Sequence, residues 1–268
     1  MTTWYRLVHP ALRPEVNMAV DQHLFLEAEQ GRLTRPVLRV YQWSVATLSL
    51  GFHQAHRRAV NRDRAAALGV EIVRRPTGGR AVLHDEELTY SVVAPLDPPF
   101  SANVQHNYDD LARALHLFSE RVAPGSTIYK TPEAPDPVQR LGGAPCFASL
   151  SAAEIAAQKK KLIGSSQKVG KHAFLQHGSI PLKDTIDKLE AVTDTALPMR
   201  QYMTHLGELC ALSGRPIPHT AQLVNHLFQA FSEVFQVDYT DYPDPQALPQ
   251  VLDLAQSQFK NPEFTWRK

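Results

Sequence analysis

Behind Pro14-Glu15, apolar residues recur at Val16, Ala19, Val20 and Leu24 with helical spacing, and Gly31 follows, so a helix is predicted from Pro14 to about Gln30. Val37 to Trp43 and Thr47 to Leu50 read as strands, and a short helix from about Arg62 to Leu68 stops at Gly69. Val70-Glu71-Ile72-Val73 and Leu88-Thr89-Tyr90-Ser91-Val92-Val93 are extended segments on either side of a glycine loop. Gln105 to Val122 is a helix with Leu111, Leu115 and Phe118 on one stripe. Lys161-Leu162-Ile163-Gly164-Ser165-Ser166-Gln167 and Phe174 to Leu182 read as strands carrying polar residues. In the first, alternation predicts Lys161, Ile163, Ser165 and Gln167 on one face and Leu162, Gly164 and Ser166 on the other. Beyond Leu182 the pattern turns helical, most clearly over Thr220 to Phe235 and Leu248 to Phe259. The succession predicts an α/β (α+β) chain in which a mixed sheet packs against helices. Pro124 to Pro145, rich in Pro and Gly, suits neither helix nor central strand; it reads as a surface loop or as an active-site lid leading to Cys146.

Composition narrows the class. A chain of 268 residues with 43% hydrophobic content can bury a substantial core, and one α/β domain is expected rather than two small ones. A formal net charge of +1 gives no reason to expect nucleic acid, and the expected macromolecular partners are acidic carrier domains met through a small basic patch. There is no run of eighteen apolar residues and no basic-then-apolar start, so no membrane association and a cytoplasmic location are expected. Cys146 and Cys210 are far apart, which fits a reducing compartment, and the twelve histidines form no HxxxH or HxH pair, so no metal is expected.

The chemistry concentrates in Arg74-Arg75-Pro76-Thr77-Gly78-Gly79-Arg80-Ala81-Val82-Leu83-His84-Asp85. Two bare glycines between arginines suit close approach of an acyl group or a carboxylate, while the plainer reading is a glycine hairpin between strands. It is no nucleotide P-loop, because Arg80, Ala81 and Val82 stand where Gly-Lys-Ser/Thr would have to open a helix. Lys161, sharing its predicted face with Ser165 and Gln167, is either a site wall or a solvated charge ending Lys159-Lys160-Lys161. Cys146 is either a nucleophile or a small buried hydrophobe, and Cys210, in the stripe Leu206, Leu209, Leu212, reads as core.

These segments, together with Asn17-Met18-Ala19-Val20-Asp21, Leu48 to Gln54, Gln176-His177-Gly178-Ser179 and Asn261-Pro262-Glu263-Phe264-Thr265, resemble the lipoate/biotin protein ligase and octanoyltransferase superfamily. Cys146-Phe147, a lysine downstream at Lys161, and Arg80 after Thr77-Gly78-Gly79 place the resemblance closest to its cysteine-dependent octanoyl-carrier-protein:protein N-octanoyltransferases. Gly164-Ser165-Ser166-Gln167 departs from the more usual Gly-Ser-Ala-Gln. The resemblance implies a mostly antiparallel sheet and a single catalytic domain over 1–268 with a helical C-terminal segment from about 185. It also implies a Cys146 thioester, with octanoyl-acyl carrier protein as donor. The acceptors would be lipoyl domains such as those of the glycine cleavage H protein or 2-oxoacid dehydrogenase E2, and no cofactor is needed. It implies Cys146 and Lys161 as catalytic residues, and Arg75, Thr77, Gly78, Gly79, Arg80, His84, Gly164, Ser165, His177 and Gly178 as substrate-binding residues. His84 is as readily a satisfied buried histidine. The rivals are an ATP-dependent lipoate ligase, an amidotransferase between lipoyl proteins, and a non-catalytic carrier binder.

The residue types fit that reaction. A thiolate exchanges thioesters at little thermodynamic cost and leaves well, and an ammonium nearby brings a thiol with a free pKa of ~8.5 toward neutrality. Lys161, once neutral, could then take the proton of the incoming amine. Oxyanion donors are expected from backbone amides near Gly78-Gly79 or from Cys146 itself.

Overall fold

The structure, a computed structural model, describes residues 2–129, 145–148, 153–193 and 195–267. Its larger sheet has eight strands in the order β11-β1-β2-β6-β10-β9-β8-β7, and a second sheet has three, β4-β3-β5. The larger sheet is built from β1 (Thr2–Leu12), β2 (Val37–Trp43), β6 (Glu87–Pro95), β7 (Ser126–Ile128), β8 (Ile155–Ala157), β9 (Lys160–Val169), β10 (Ala173–Pro181) and β11 (Val237–Asp241). The smaller one comprises β3 (Thr47–Leu50), β4 (Glu71–Arg74) and β5 (Val82–His84). Among the described strands, β1 pairs in parallel with β2 and β11 and β3 with β4, and the other strand pairs are antiparallel.

Helix α1 (Pro14–Glu29) begins with Pro14 in its first turn, where the missing N–H costs nothing. It ends before Gly31, which takes φ +73°. It is buried on nearly every side, including Asn17 and Asp21. Asn61 caps α2 (Arg62–Ala67) and Asn103 caps α3 (Val104–Val122), each side chain accepting from a first-turn amide. On one face of the large sheet, α3 and α6 (Thr220–Phe235) cover Leu38, Tyr90, Val92, Ile163 and Phe174. On the other, α1 and α7 (Pro249–Leu254) cover Val37, Tyr41, Val93 and Leu175. A third core gathers the small sheet, α2, α4 (Ile186–Thr193), Phe147 and Ala148.

Three sequence expectations need amending. The C-terminal segment from about 185 is not wholly helical, since β11 follows α6 and extends the sheet edge beside β1. Leu248 to Phe259 is an α-helical start that widens into a π-turn over Ala255–Phe259. The simple alternation of β9 fails at its start: Ile155 pairs Ile163 but Ala156 pairs Lys161, so one extra residue is inserted at Leu162. That shift moves Lys161 onto the face of Gly164 and Ser166, opposite to the predicted face. The lid expected over Pro124 to Pro145 falls mostly on 130–144, outside the described residues; ahead of it β7 forms an edge strand.

Candidate active site

Cys146 stands in a 3-10 turn, Cys146–Ala148, that the burial of Phe147 and Ala148 roots in the third core. Its amide donates to the Ala81 carbonyl at 2.9 Å, so that amide is committed to the fold and does not serve as the expected oxyanion donor. Cys146 itself is half-buried, whereas Cys210 is buried, and both are free thiols.

Lys161 reaches Cys146 from the edge of β9. Its backbone is clamped on both sides, its N–H donating to the Tyr202 carbonyl at 2.7 Å and its carbonyl accepting from Thr204 N–H at 3.0 Å. Its side chain, 1% exposed, lies across Gly164, where a Cβ would come within 2.6 Å of Lys161 Cε. A side chain at 164 would therefore have to displace the end of Lys161 from its place beside Cys146. The Nζ donates to Glu154 Oε1 at 2.5 Å and the Cys146 carbonyl at 3.2 Å, and stands 3.7 Å from Cys146 Sγ. Burial penalises the ammonium, but the electrostatic influence of Cys146 and Glu154 outweighs that, and its pKa is raised above the ordinary lysine value. The solvated-charge reading of Lys161 is thereby replaced.

The glycine loop is held by Arg75. Its guanidinium donates to Ser49 O and Oγ, Thr77 Oγ1, and the carbonyls of Gly78 and Arg80. A guanidinium has five N–H groups; here three contacts go to the loop and two to Ser49 of β3, so Arg75 ties the loop to that strand. Burial depresses the pKa of Arg75. Gly79 sits at φ +89°, and a Cβ there would meet Arg75 Nη2 at 2.8 Å, while a Cβ on Gly78 would meet nothing within 4 Å. Among the described glycines the tightest is Gly51, whose added Cβ would overlap the Gly79 carbonyl oxygen at 1.9 Å. Arg80 sends its charge toward Lys161.

From Thr77 a buried chain of contacts runs inward. Thr77 Oγ1 lies 2.7 Å from Ser166 Oγ and 2.6 Å from His177 Nε2. The His177 Nδ1 lies 3.1 Å from Asp21 Oδ2. Arg39, Tyr41 and Ser91 also donate to Asp21. Burial lowers the His177 pKa, so the ring is neutral at pH 7. With Nδ1–H turned to Asp21, Nε2 accepts from Thr77. Burial disfavours the Asp21 carboxylate, yet Arg39 and His177 overcome that and hold its pKa at about 2. Ser166, where the sequence departs from the pattern it otherwise resembles, uses its hydroxyl to tie β9 to this chain. His84 is satisfied on both nitrogens, by Ser49 Oγ at 2.8 Å and Glu87 Oε1 at 2.7 Å, and stacks on Trp43 with centroids 4.2 Å apart. It is both a buried, satisfied histidine and a pocket wall.

That pocket encloses about 360 Å³, part of it open to solvent, and joins Cys146, Gly164 and His177 to apolar walls from Met18, Tyr41, Trp43 and Val82. Its apolar walls beside Cys146 have the character that would suit an aliphatic chain. Ser165 and Gly178 are among the pocket's lining residues, and the Ser165 hydroxyl lies 2.7 Å from Tyr90 OH. Sequence reasoning missed Glu154, Tyr108, Asp21 and these four walls. Tyr108, with its hydroxyl 3.4 Å from the Ser165 carbonyl, could have been found by extending the stripe Leu111, Leu115 one turn back. Among the described residues no group of three or more His, Cys, Asp or Glu is arranged to hold a metal ion, and no helix is long and apolar enough to cross a membrane.

The chain matches the lipoyl protein ligase A/B catalytic domain family over residues 13–232. It is 34% identical over 246 residues to the octanoyltransferase LipM of Carboxydothermus hydrogenoformans, covering 89% of each chain. To LipM of Moorella thermoacetica it is 35% identical over 250 residues, covering 88% of each. In fold it is similar to lipoate-protein ligase A bound with ATP, with a TM-score of 0.80 at 19% identity over 99% of both chains. It is also similar in fold to the structure of an archaeal bi-partite lipoate protein ligase and its E2 lipoyl domain from Thermoplasma acidophilum, with a TM-score of 0.76 at 18% identity over 99% of this chain and 97% of that one.

Proposed function

Because this chain belongs to the lipoyl protein ligase A/B catalytic domain family and is similar to the LipM octanoyltransferases along most of its length, we propose that it is an acyltransferase of protein lipoylation working through a Cys146 thioester. The octanoyl group comes from octanoyl-acyl carrier protein and goes to a lysine of a lipoyl domain, such as that of the glycine cleavage H protein or of 2-oxoacid dehydrogenase E2, in the cytoplasm. The observation that carries this reading is the 3.7 Å approach of Lys161 Nζ to Cys146 Sγ beside a pocket with apolar walls.

In the first half-reaction the Cys146 thiolate attacks the donor thioester carbonyl. The carbonyl–sulfur bond to the carrier breaks, and the departing carrier thiolate receives a proton from Lys161. In the second, the neutral amine of the acceptor lysine attacks the Cys146 thioester, the carbonyl–sulfur bond to Cys146 breaks, and the amine proton passes to Lys161, restoring the thiolate–ammonium pair. The acyl chain lies along Met18, Tyr41, Trp43 and Val82, away from water. No adenylate is formed, because the donor carbonyl arrives already activated.

The test is incubation with octanoyl-acyl carrier protein in ATP-free, chelator-treated buffer, followed by intact-mass analysis. Without acceptor, the wild type gains one octanoyl group that hydroxylamine releases, and Cys146→Ser gains none and loses nearly all transfer. A strict need for ATP, magnesium and free octanoate would favour a ligase; an active, unacylated Cys146→Ser would end the covalent mechanism.

A further inference from the structure

Lys161 is a buried cation whose three N–H groups face Glu154, the Cys146 carbonyl and the Cys146 sulfur. Glu154 is itself 5% exposed, just ahead of β8, and its carboxylate contacts the ammonium at 2.5 Å. We propose that Glu154 is the third member of the reactive cluster, a positioning residue that keeps Lys161 charged and aimed at Cys146.

A lysine this deeply buried sheds its proton unless an anion is in contact with it. The charged and titratable groups around it come from several elements. Arg75 and Arg80 lie on the glycine loop, Tyr108 on α3, Tyr90 on β6, Cys146 on its 3-10 turn, and Glu154 before β8. Both arginines are cationic, and both tyrosines have their pKa raised by burial, so neither hydroxyl supplies a negative charge near neutral pH. Among the described residues the groups that favour the Lys161 ammonium are therefore Cys146, as its thiolate, and Glu154. They differ in one respect that matters for turnover. When Cys146 is acylated its negative charge is gone and Lys161 has passed on its proton, and Glu154 remains to accept a hydrogen bond from the Lys161 amine, keeping it aimed at Cys146 and ready to take up the next proton.

The two ways in which a carboxylate can act here have opposite signs. As a bare negative charge near sulfur, Glu154 would disfavour the thiolate. As the counter-ion of Lys161, it favours the thiolate indirectly, because the ammonium it maintains is the charge nearest to sulfur. The inference is that the second effect dominates. It rests on the reading of Cys146 as nucleophile and Lys161 as its activator.

The experiment follows the pH midpoint of Cys146 alkylation by iodoacetamide, read by mass spectrometry, with Cys210 as an internal check that the fold stays closed. Glu154→Gln, nearly isosteric and still able to accept one hydrogen bond, is expected to move the midpoint upward by about one pH unit or more. Transfer at neutral pH is expected to fall at least about tenfold and to recover as pH rises. Glu154→Asp returns part of the shift. In a Lys161→Met background, Glu154→Gln adds no further upward shift, because its effect passes through the lysine. A midpoint that is unchanged or lowered in Glu154→Gln, while Lys161→Met raises it, overturns the role of Glu154 and leaves the cysteine–lysine pair standing. If Lys161→Met leaves the midpoint in place, the activator reading fails and this inference goes with it. If Cys210 becomes fast-reacting in Glu154→Gln, the Glu154→Asp midpoint decides: a value above that of the wild type but below that of Lys161→Met supports the inference, and a wild-type or lower value overturns it.

Discussion

Two buried ion pairs, Asp21–Arg39 and Glu154–Lys161, use similar components to different ends. Asp21 is enclosed by Arg39, Tyr41, Ser91 and His177, and Arg39 in turn spends itself on His9, Asn17 and Asp21. Every contact is to a group whose charge is settled at neutral pH. The Lys161 ammonium has instead a sulfur among its neighbours, half-buried and lining the pocket, whose charge would come and go with each turnover in the proposed mechanism. A closed network makes structure; a network with one reactive member makes chemistry.

The largest effect that separates them is expected from paired substitutions. Asp21→Ala strands Arg39 in the core and is expected to cost about 3–5 kcal/mol in urea unfolding. Lys161→Met is expected to show itself first in transfer, with a loss of at least about a hundredfold. If Asp21→Ala left the urea midpoint alone and struck only the rate, the distinction would collapse.

Acid sharpens the comparison next. The folded-state pKa of Asp21, about 2, lies below the ordinary 3.8, so its stabilising contribution is complete above the ordinary value and is lost as pH falls toward 2. The difference amounts to about 2 kcal/mol. Urea midpoints measured from pH 6 downward should fall more steeply in the wild type than in Asp21→Asn, and parallel curves would show that Asp21 does not carry the acid limb. The smallest effect concerns the link between the networks. Ser166→Ala removes one hydrogen bond to Thr77, which retains His177 and Arg75, so a loss of no more than about 1 kcal/mol is expected. A larger loss would mean that the two networks act as one.

Much of this was legible in advance, and what was not had physical reasons. Helices with apolar stripes, such as α3 and α6, and the strands on either side of the glycine loop follow directly from periodicity. Strand β1 escaped because its burial follows no simple two-residue alternation. Cys146, Lys161 and the glycine loop were found as motifs, but the face of Lys161 was misread because a single inserted residue in β9 leaves no mark on composition. Glu154 was hidden for a similar reason. It stands alone in Ala152-Ala153-Glu154-Ile155-Ala156-Ala157, and the available signal was its charge among small apolar residues, which implies a partner without naming it. Asp21 and Arg39 meet only through tertiary packing of α1 on β2.

The Arg74 guanidinium, beside the one that shapes the glycine loop, clasps the carbonyls of Gly51, Phe52 and Gln54 to those of Phe264, Thr265 and Arg267. Its farthest partner lies 193 positions along the chain. During synthesis, which adds roughly 5–20 residues each second, the arginine therefore emerges about ten seconds or more before its last carbonyls do. The floor beneath Gly79 stays unfastened for that interval. The ribosome thus completes the support of the glycine loop last, with carbonyls from the far end of the chain.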